Sequence, residues 1–250
     1  MLTALTTFWL TEVFNVAGIP HHLVAYGKRI YEWLDEAGIE YPRDTHLRSM
    51  IVHKLPVIPV EFIFRARLSG SFYKEYYKKG LPDPYGLNIA PGMDLMAEFP
   101  EPTFTPTEKS ETDDPLNSHT VAFLLSDAYK LSQKAFVTTR RHLAGRSIDL
   151  IDGKSEVGIG PDGRPCMIDE ICTPDCSRYC HSSDVKLGVE PPWLDKELAR
   201  IEAMRMWGSG PKVPLVFTPS VVNKLTDTYL GLFESVTGRS LDDYQRQKMN

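Results

Sequence analysis

Charged residues occupy alternate positions in the segment 148–157, whose pattern predicts a β-strand. Asp152, Lys154 and Glu156 would share one face of that strand, because successive side chains point to opposite sides. Three charges on one strand face are typical of a site for a charged ligand. The alternative is an exposed hairpin face with ion pairs, which the pattern alone leaves open.

The same strand is predicted to form a hairpin through a glycine-rich turn centred near 161–162. That register would place Lys154 opposite Asp169, with Glu156 one position away on the same face. Mg²⁺ is usually held by one or two carboxylates together with the phosphates of a substrate. Glu156 and Asp169 are therefore candidate ligands for Mg²⁺, and Lys154 is a candidate to neutralise a phosphoryl group.

A second group of polar residues lies on the predicted strand 60–68. Glu61, Arg65 and Arg67 share one face, opposite an apolar face, and a Ser-Gly-Ser turn follows at 69–71. Arginine offers several N–H donors that suit phosphate or carboxylate, and a Gly-Ser turn exposes backbone N–H groups and a hydroxyl. The pattern favours an anion-binding pocket, although many such turns only reverse the chain.

The elements that must position these residues follow from hydrophobic periodicity and from glycine and proline breaks. The predicted helices cover 2–16, 28–37, 118–145, 195–207 and 219–238, and the predicted strands cover 50–55, 60–68, 148–157 and 165–171. The segment 80–117 is rich in Pro, Gly, Asp and Thr, and it predicts a long ordered loop. The expected fold class is α+β, with an antiparallel sheet backed by helices.

Composition restricts the classes of partner. The 250 residues include 28 basic and 33 acidic side chains, which give a formal charge of −5 with no long basic stripe. We therefore expect no nucleic-acid partner. We also expect no membrane association, because no apolar run approaches the roughly 20 residues that span a bilayer. The first basic residue is Lys28, so a signal peptide is not indicated and a cytoplasmic location is expected.

Two other clusters have a chemical and a structural interpretation. Cys172, Cys176 and Cys180 precede His181, but they lack the C-x2-C pair common in zinc sites, and ordinary reduced thiols are favoured. Three tyrosines and three lysines within 73–79 resemble a surface for single-stranded RNA. A solvated helix face with apolar anchors is the favoured interpretation of that segment.

Three segments taken together resemble one known family. They are LPVIPVEFIFRARLSGS at 55–71, LIDGKSEVG at 150–158 and IDEICTPDCSRY at 168–179. These segments look like the signature stretches of phosphoribosylaminoimidazole-succinocarboxamide synthase, or SAICAR synthetase. The likeness continues in order at 103–109 and 195–196, and so extends along nearly the whole chain.

The resemblance implies an ATP- and Mg²⁺-dependent ligase. Members of the family join carboxyaminoimidazole ribonucleotide (CAIR) to L-aspartate through an acyl phosphate, giving SAICAR, ADP and phosphate. Carried over by position, Arg65, Ser71 and Arg178 would hold the ribonucleotide phosphate. Glu61 would contact the imidazole end or its metal, and Asp114 would line the site from the long loop.

The resemblance also implies a set of catalytic and metal-binding residues. Lys154, Glu156 and Asp175 would complete the polar site. Asp169 would bind Mg²⁺ near the ATP phosphates, and Glu156 is the second metal candidate. The task of such residues is positioning and charge neutralisation, because an unactivated carboxylate must be phosphorylated before an amine attacks it.

The resemblance assigns the nucleotide to the junction between two lobes. Ile58 and Val60 resemble the hinge that meets adenine, and Lys154 would reach the phosphates. The resemblance implies a fold with a kinase-like or ATP-grasp-like layout, in which a glycine-rich N-terminal lobe precedes the helix that begins here at Leu2. We therefore expect residues 1–56 to be the remnant of that lobe and its junction, and residues 57–250 to be the main lobe.

The departures from the family pattern leave alternatives. No other phosphate-binding glycine motif occurs, and Ser155, Val157 and Cys180 replace residues that are usually bulky or aromatic. One alternative is a shortened, non-catalytic relative that binds a ribonucleotide, and a weaker one is a phosphotransferase of the same layout. A homo-oligomer or a partner chain could supply the lobe.

Overall fold

The structure of the chain is a computed structural model, and it describes residues 1–90, 92–208 and 213–250, with the Tyr76 side chain outside this description. The α-helices within these ranges are α1 (Leu2–Phe8), α2 (Ile30–Glu36), α3 (Ser118–Leu124), α4 (Ser126–Leu143), α5 (Glu197–Trp207), α6 (Pro219–Thr237) and α7 (Leu241–Tyr244). The strands are β1 (Leu23–Tyr26), β2 (Met50–Val52), β3 (Val60–Arg67), β4 (Glu98–Phe104), β5 (Thr107–Glu108), β6 (Ile148–Ile159), β7 (Pro165–Ile168) and β8 (Ser177–His181). Shorter π-helical segments lie at Trp9–Phe14, Phe72–Lys78 and Gln245–Met249.

The main sheet is antiparallel, and the expected α+β class is confirmed. Its strands run in the order β4-β3-β6-β7, with β5 paired to β3 and β8 paired to β6. The long strand β6 pairs with β3 along one edge, and β8 and β7 pair with successive parts of its length. Ile63 lies opposite Lys154 and Arg65 lies opposite Asp152, so the polar faces of β3 and β6 coincide.

The apolar face of the sheet packs against helices. Phe62, Phe64 and Ala66 of β3 are buried in the main core, as the alternation predicts. Phe64 stacks with Phe104 of β4 at 5.0 Å between ring centroids and with Phe136 of α4 at 5.9 Å. Burying one face of β3 in this way fixes which residues remain for the polar face.

The N-terminal segment belongs to the same core. Leu5 of α1 and Trp9 and Phe14 of the following π-helical segment are fully buried, and Trp9 Nε1 donates to the Cys172 carbonyl at 3.0 Å. The core thus contains residues from both sides of the predicted boundary between residues 56 and 57. That boundary stays a prediction.

The segment expected to be a loop at 80–117 contains two strands, which is a correction. β4 carries Pro100 and Pro102, whose missing N–H groups argue against a strand in the sequence. Proline is tolerated here because β4 lies at the edge of the sheet and pairs only with β3. The pairing depends on a distant strand, so local sequence did not reveal it.

One helix prediction also needs correction. The helix expected over 118–145 is divided at Leu125, whose φ of −116° and ψ of 40° are not helical. Asn117 caps the start of α3, where its side chain accepts from the Thr120 amide at 3.0 Å. In α2, Ile30 is buried, whereas Trp33, three positions later on the same side of the helix, is 47% exposed.

The hairpin of β6 and β7 is shifted by one residue from the expected register. Glu156 pairs with Ile168 and Ile159 pairs with Pro165, so Lys154 does not lie opposite Asp169. The reason is the turn: Gly160 donates to Arg164, which leaves a three-residue loop that ends with Gly163 at a φ of +77°. Three-residue hairpin loops use such a left-handed residue, which glycine adopts without strain.

Within the described ranges, none of the helices combines the length and apolar character that crossing a membrane requires.

Candidate active site

The shared polar face of β3 and β6 forms the floor of an open cavity of about 230 Å³. The sequence-predicted residues that line it are Glu61, Arg65, Ser71, Lys154, Asp175 and Arg178. These residues come from β3, the turn after it, β6 and the segment around β8. The structure thus brings together most of the predicted substrate site.

Two arginines share one buried carboxylate at one end of the cavity. Arg65 Nη1 lies 2.8 Å from Asp152 Oδ2, and Arg178 Nη2 lies 3.2 Å from the same oxygen. Arg65 Nε also donates to Thr105 Oγ1 at 2.9 Å. Two cations on one anion leave a local excess of positive charge, which favours a bound anion.

Gly70 allows Arg178 to reach this position. Gly70 has a φ of +61°, and a Cβ atom at this residue would lie 1.9 Å from Arg178 Nη2. The guanidinium also lies over the Trp193 ring, 5.7 Å from its centroid. The next residue, Ser71, makes no side-chain capping bond to the helical segment that it precedes. Its side chain is exposed and lines the same cavity as the two arginines.

A lysine–glutamate pair lies farther along the same face. Lys154 Nζ is 2.6 Å from Glu61 Oε1, and Thr107 Oγ1 donates to Glu61 Oε2 at 2.8 Å. Partial burial lowers the pKa of Lys154, but the hydrogen bond and charge of Glu61 outweigh it and raise that pKa. Lys154 therefore stays cationic at neutral pH, and it can neutralise charge but cannot act as a base.

Asp175 reaches the cavity from a turn that is held on both sides. Tyr229 of α6 donates to Asp175 Oδ1 at 2.7 Å. Within the same turn, the Cys172 carbonyl accepts from Tyr179 at 2.6 Å as well as from Trp9. The Lys154 amide donates to the Cys176 carbonyl at 3.0 Å, which ties the turn to β6. Backbone contacts therefore fix the distance between Asp175 and Lys154.

Glu156 and Asp169 line a second cavity, of about 320 Å³. Glu156 is buried and its Oε1 pairs with Lys109 Nζ, while His22 and His53 lie on other walls. Asp169 follows β7 with a φ of +62° and lies on the same cavity despite the shifted register. Two carboxylates and one lysine fit a site for Mg²⁺ with phosphate groups, which would supply the remaining oxygen ligands.

Other predicted contacts are placed differently. Among the residues that the structure describes, Asp113 is the loop residue on the first cavity, while Asp114 accepts from Thr112 Oγ1 at 2.8 Å. Ile58 lines a separate small apolar cavity, and its amide donates to the Val157 carbonyl at 2.9 Å. The Val60 side chain is buried in the core. The roles of Asp114, Ile58 and Val60 stay predictions.

The sequence did not assign a role to several residues that line the two cavities. Asp195, Lys196, Glu197 and Arg200 reach the first cavity from the start of α5, and Lys109 reaches the second. Burial raises the pKa of Asp195 to about 7. The family likeness at 103–109 and 195–196 covered Lys109, Asp195 and Lys196 without assigning them a role, and it did not extend to Glu197 or Arg200.

The cysteine thiols and the tyrosine–lysine segment have structural surroundings. All four cysteines are free thiols, and the described part of the chain contains no group of three metal-ligating side chains arranged to hold an ion. Tyr73 and Tyr77 pack on a small apolar cluster, and Lys79 pairs with Glu75 at 2.6 Å. These contacts are those of a solvated helix face with apolar anchors.

Comparison with known proteins identifies similar chains. A family profile described as SAICAR synthetase matches residues 1–211. The phosphoribosylaminoimidazole-succinocarboxamide synthase of Saccharomyces cerevisiae is 32% identical over 254 aligned positions, which cover 95% of this chain and 80% of the relative. The enzyme of the same name from Syntrophobacter fumaroxidans is 30% identical, covering 97% of this chain and 80% of the relative.

Solved structures agree with the sequence comparison. The yeast SAICAR synthase in complex with SAICAR superposes with a TM-score of 0.77 at 29% identity, covering 96% of this chain and 81% of that protein. A SAICAR synthetase solved in complex with ADP has a TM-score of 0.61 at 22% identity, covering 94% of this chain and 79% of that protein, and supports the fold.

Proposed function

The chain belongs to the SAICAR synthetase family of carbon–nitrogen ligases in purine biosynthesis, and we propose that it joins CAIR to L-aspartate with ATP. The products would be SAICAR, ADP and phosphate. The observation that carries this proposal is the cavity in which Arg65 and Arg178 share Asp152 beside Ser71. This arrangement suits the phosphate of a ribonucleotide, and Lys154 and Glu61 lie along the same face for the imidazole end.

The reaction needs two bond exchanges. A carboxylate oxygen of CAIR attacks the γ-phosphorus of ATP, the bond from that phosphorus to the β,γ-bridging oxygen breaks, and ADP leaves. The neutral amine of aspartate then attacks the acyl carbon, and the carbon–oxygen bond to phosphate breaks. The nitrogen gives its proton to the departing phosphate, which leaves the amide. Both steps are accelerated by alignment and by neutralisation of phosphoryl charge.

The residues of the chain divide these tasks. Arg65, Arg178 and Ser71 would bind and orient CAIR through its phosphate. Lys154 lies between the two cavities on the face of β6 and would stabilise negative charge on the transferred phosphoryl group. Asp175, held by Tyr229, would orient a donor group on the substrate, such as the incoming amine.

The nucleotide end of the site would lie in the second cavity. Glu156 and Asp169 would hold Mg²⁺, which when bound neutralises phosphate charge. Lys109 would contact a phosphate after exchanging its pairing with Glu156. Ile58 would meet the adenine through its side chain, and Val60 through its backbone, since the Val60 side chain lies in the core.

The proposal includes the partners of the protein and its location. CAIR, L-aspartate and ATP would be the small-molecule partners, and the location would be cytoplasmic. The family assignment favours the ligase over the non-catalytic alternative.

The test is ADP release by the purified chain with Mg²⁺, ATP and CAIR, with and without aspartate. We expect ADP release that depends on aspartate and a product with the mass of SAICAR. ADP release at the same rate with and without aspartate would indicate a phosphotransferase. CAIR binding without ADP release would indicate a binding protein. Either result would overturn the ligase proposal.

A further inference from the structure

Asp195 is a buried carboxylate with one unsatisfied oxygen. It lies just before α5, lines the first cavity and is 2% exposed. Oδ1 accepts from the Glu197 amide at 2.8 Å, whereas Oδ2 has no hydrogen-bond partner among the described residues. A buried polar atom without a partner costs free energy, so its retention beside a cavity calls for a ligand or a proton.

The surroundings of Asp195 are charged on several sides. The titratable groups that act on it or respond to it are Asp152 of β6, Arg178, Tyr179 and Cys180 of β8, Glu197 of α5 and Tyr229 of α6. Arg178 is the cation among them, but its ion-pair partner within the described ranges is Asp152, at 3.2 Å. Asp195 therefore shares the field of Arg178 without pairing with it, and Asp152 opposes its ionisation.

Binding of an anion in the first cavity would change the ionisation of Asp195. Burial raises the pKa of Asp195 to about 7, so near pH 8 the side chain of the free protein is mostly ionised. A dianion bound to Arg65 and Arg178 would lie in the positive electric field that Asp195 now shares. The dianion and the ionised Asp195 carboxylate would then repel each other. A carboxylate in contact with a second anion gains a proton, and the resulting O–H is a hydrogen-bond donor.

We propose that Asp195 takes up a proton when a phosphomonoester dianion binds, and that its carboxyl group then donates a hydrogen bond to the anion. The inference rests on the proposed function, which places the CAIR phosphate at Arg65 and Arg178. Oδ2 supplies the donor, Oδ1 keeps its bond to the Glu197 amide, and the proton comes from the buffer. Asp195 would thereby act as a positioning residue whose protonation accompanies substrate binding.

The experiment is calorimetric titration of the chain with CAIR at pH 8.0 in Tris, Hepes and Tricine. The slope of the observed enthalpy against buffer ionisation enthalpy gives the number of protons taken up. At this pH the CAIR phosphate is already a dianion, so its second ionisation does not contribute to the uptake. We expect uptake that approaches one proton per CAIR for the wild type. Binding without proton uptake would overturn the role of Asp195 and leave the proposed function intact.

Two variants locate the proton. Asp195→Asn keeps a neutral donor and the acceptor for Glu197 and needs no protonation, so we expect no proton uptake and a CAIR affinity at pH 8 about tenfold above wild type. Asp195→Ala also needs no protonation but removes the donor, so we expect its CAIR affinity to lie about tenfold or more below that of Asp195→Asn. Circular dichroism melting checks that each variant is folded. Unchanged uptake in Asp195→Asn would overturn the inference even if every variant bound CAIR.

A matched control separates the inference from general charge effects. Asp162→Asn changes an exposed carboxylate in the turn between β6 and β7 and should keep the proton uptake of the wild type. If the wild type gives no CAIR binding at all, the proposed function fails, and this inference fails with it. The two failures are distinguishable because a loss of CAIR binding is seen in every buffer. A loss of proton uptake is seen only in how the binding enthalpy depends on the buffer.

Discussion

Arg65 and Asp152 face each other across β3 and β6, with Arg65 Nη1 2.8 Å from Asp152 Oδ2, and their side chains are only 4% and 9% exposed. Removing charges from water is costly, and the cost is offset only when the pair is close and well hydrogen-bonded. Here Asp152 also holds Arg178, so one carboxylate positions two guanidinium groups at the cavity. The arrangement orients both arginines before any anion arrives.

Replacing one of these arginines should weaken substrate binding more than turnover. We expect Arg65→Gln or Arg178→Gln to raise the KM for CAIR by about 10- to 100-fold, because each charged hydrogen bond to phosphate contributes roughly 1.5–3 kcal/mol. Steady-state ADP release at varied CAIR concentration measures the effect. Asp152 would retain the other arginine, so we expect both variants to fold.

Arg67→Gln is the matched control for these variants. Arg67 lies on the same face of β3, but its partners are Asp149 and Glu98 at the far end of the strand. The variant should lower the melting temperature and leave the KM for CAIR within about twofold of wild type, since a partly exposed ion pair contributes modestly to stability. Equal changes in KM for Arg65→Gln and Arg67→Gln would contradict the phosphate assignment.

Gly70→Ala should act through Arg178 without removing any charge. The new Cβ would fall 1.9 Å from Arg178 Nη2, so the guanidinium must move away from its position over Trp193. We expect the KM for CAIR to rise about tenfold. Gly80→Ala is the control, because Gly80 also has a positive φ but has open space around it. If both variants raise KM equally, backbone strain rather than displacement of Arg178 is the cause.

Asp169→Asn and Glu156→Gln should affect dependence on the metal. Both carboxylates line the second cavity, and losing one removes an oxygen ligand from the proposed Mg²⁺ site. We expect the Mg²⁺ concentration for half-maximal turnover to rise at least about tenfold, while the Kd for CAIR measured without nucleotide stays within about twofold. Mg²⁺ titrations of ADP release check the first expectation. A wild-type Mg²⁺ profile in both variants would remove these residues from the metal site.

Asp195 should make the stability of the chain depend on pH. Burial raises its pKa from 3.8 to about 7, so between these values the folded chain retains a proton that the unfolded chain releases. This stabilisation is complete below about pH 4 and is lost as the pH rises through 7. Asp195→Asn lacks the ionisable group and should therefore be more stable than wild type at pH 8, on the order of 4 kcal/mol.

Urea unfolding from pH 4.5 to 8.5 measures the difference in unfolding free energy between wild type and Asp195→Asn. The difference should grow in favour of the variant as the pH rises, while Asp162→Asn should follow the wild type throughout. A difference that does not vary with pH would show that Asp195 is ionised over the whole range.

Local sequence determined the elements that carry the site. The alternation in β3 and β6 assigns Glu61, Arg65, Asp152 and Lys154 to polar faces, because side chains alternate in any extended strand. The start of α6 at Pro219 and its end before Gly238, which adopts a left-handed conformation with a φ of +71°, also follow from nearby residues. Each of these features depends on interactions within a few positions of the chain.

The tertiary structure decided how these elements meet. The one-residue shift between β6 and β7 depends on the conformation of their turn, and β4 is a strand only because β3 offers it an edge. Asp195 reaches the cavity because the segment before α5 packs against β8, where burial rather than neighbouring sequence sets its pKa. Pairing register, burial and electric field all depend on residues that are distant in sequence, so only the folded chain defines them.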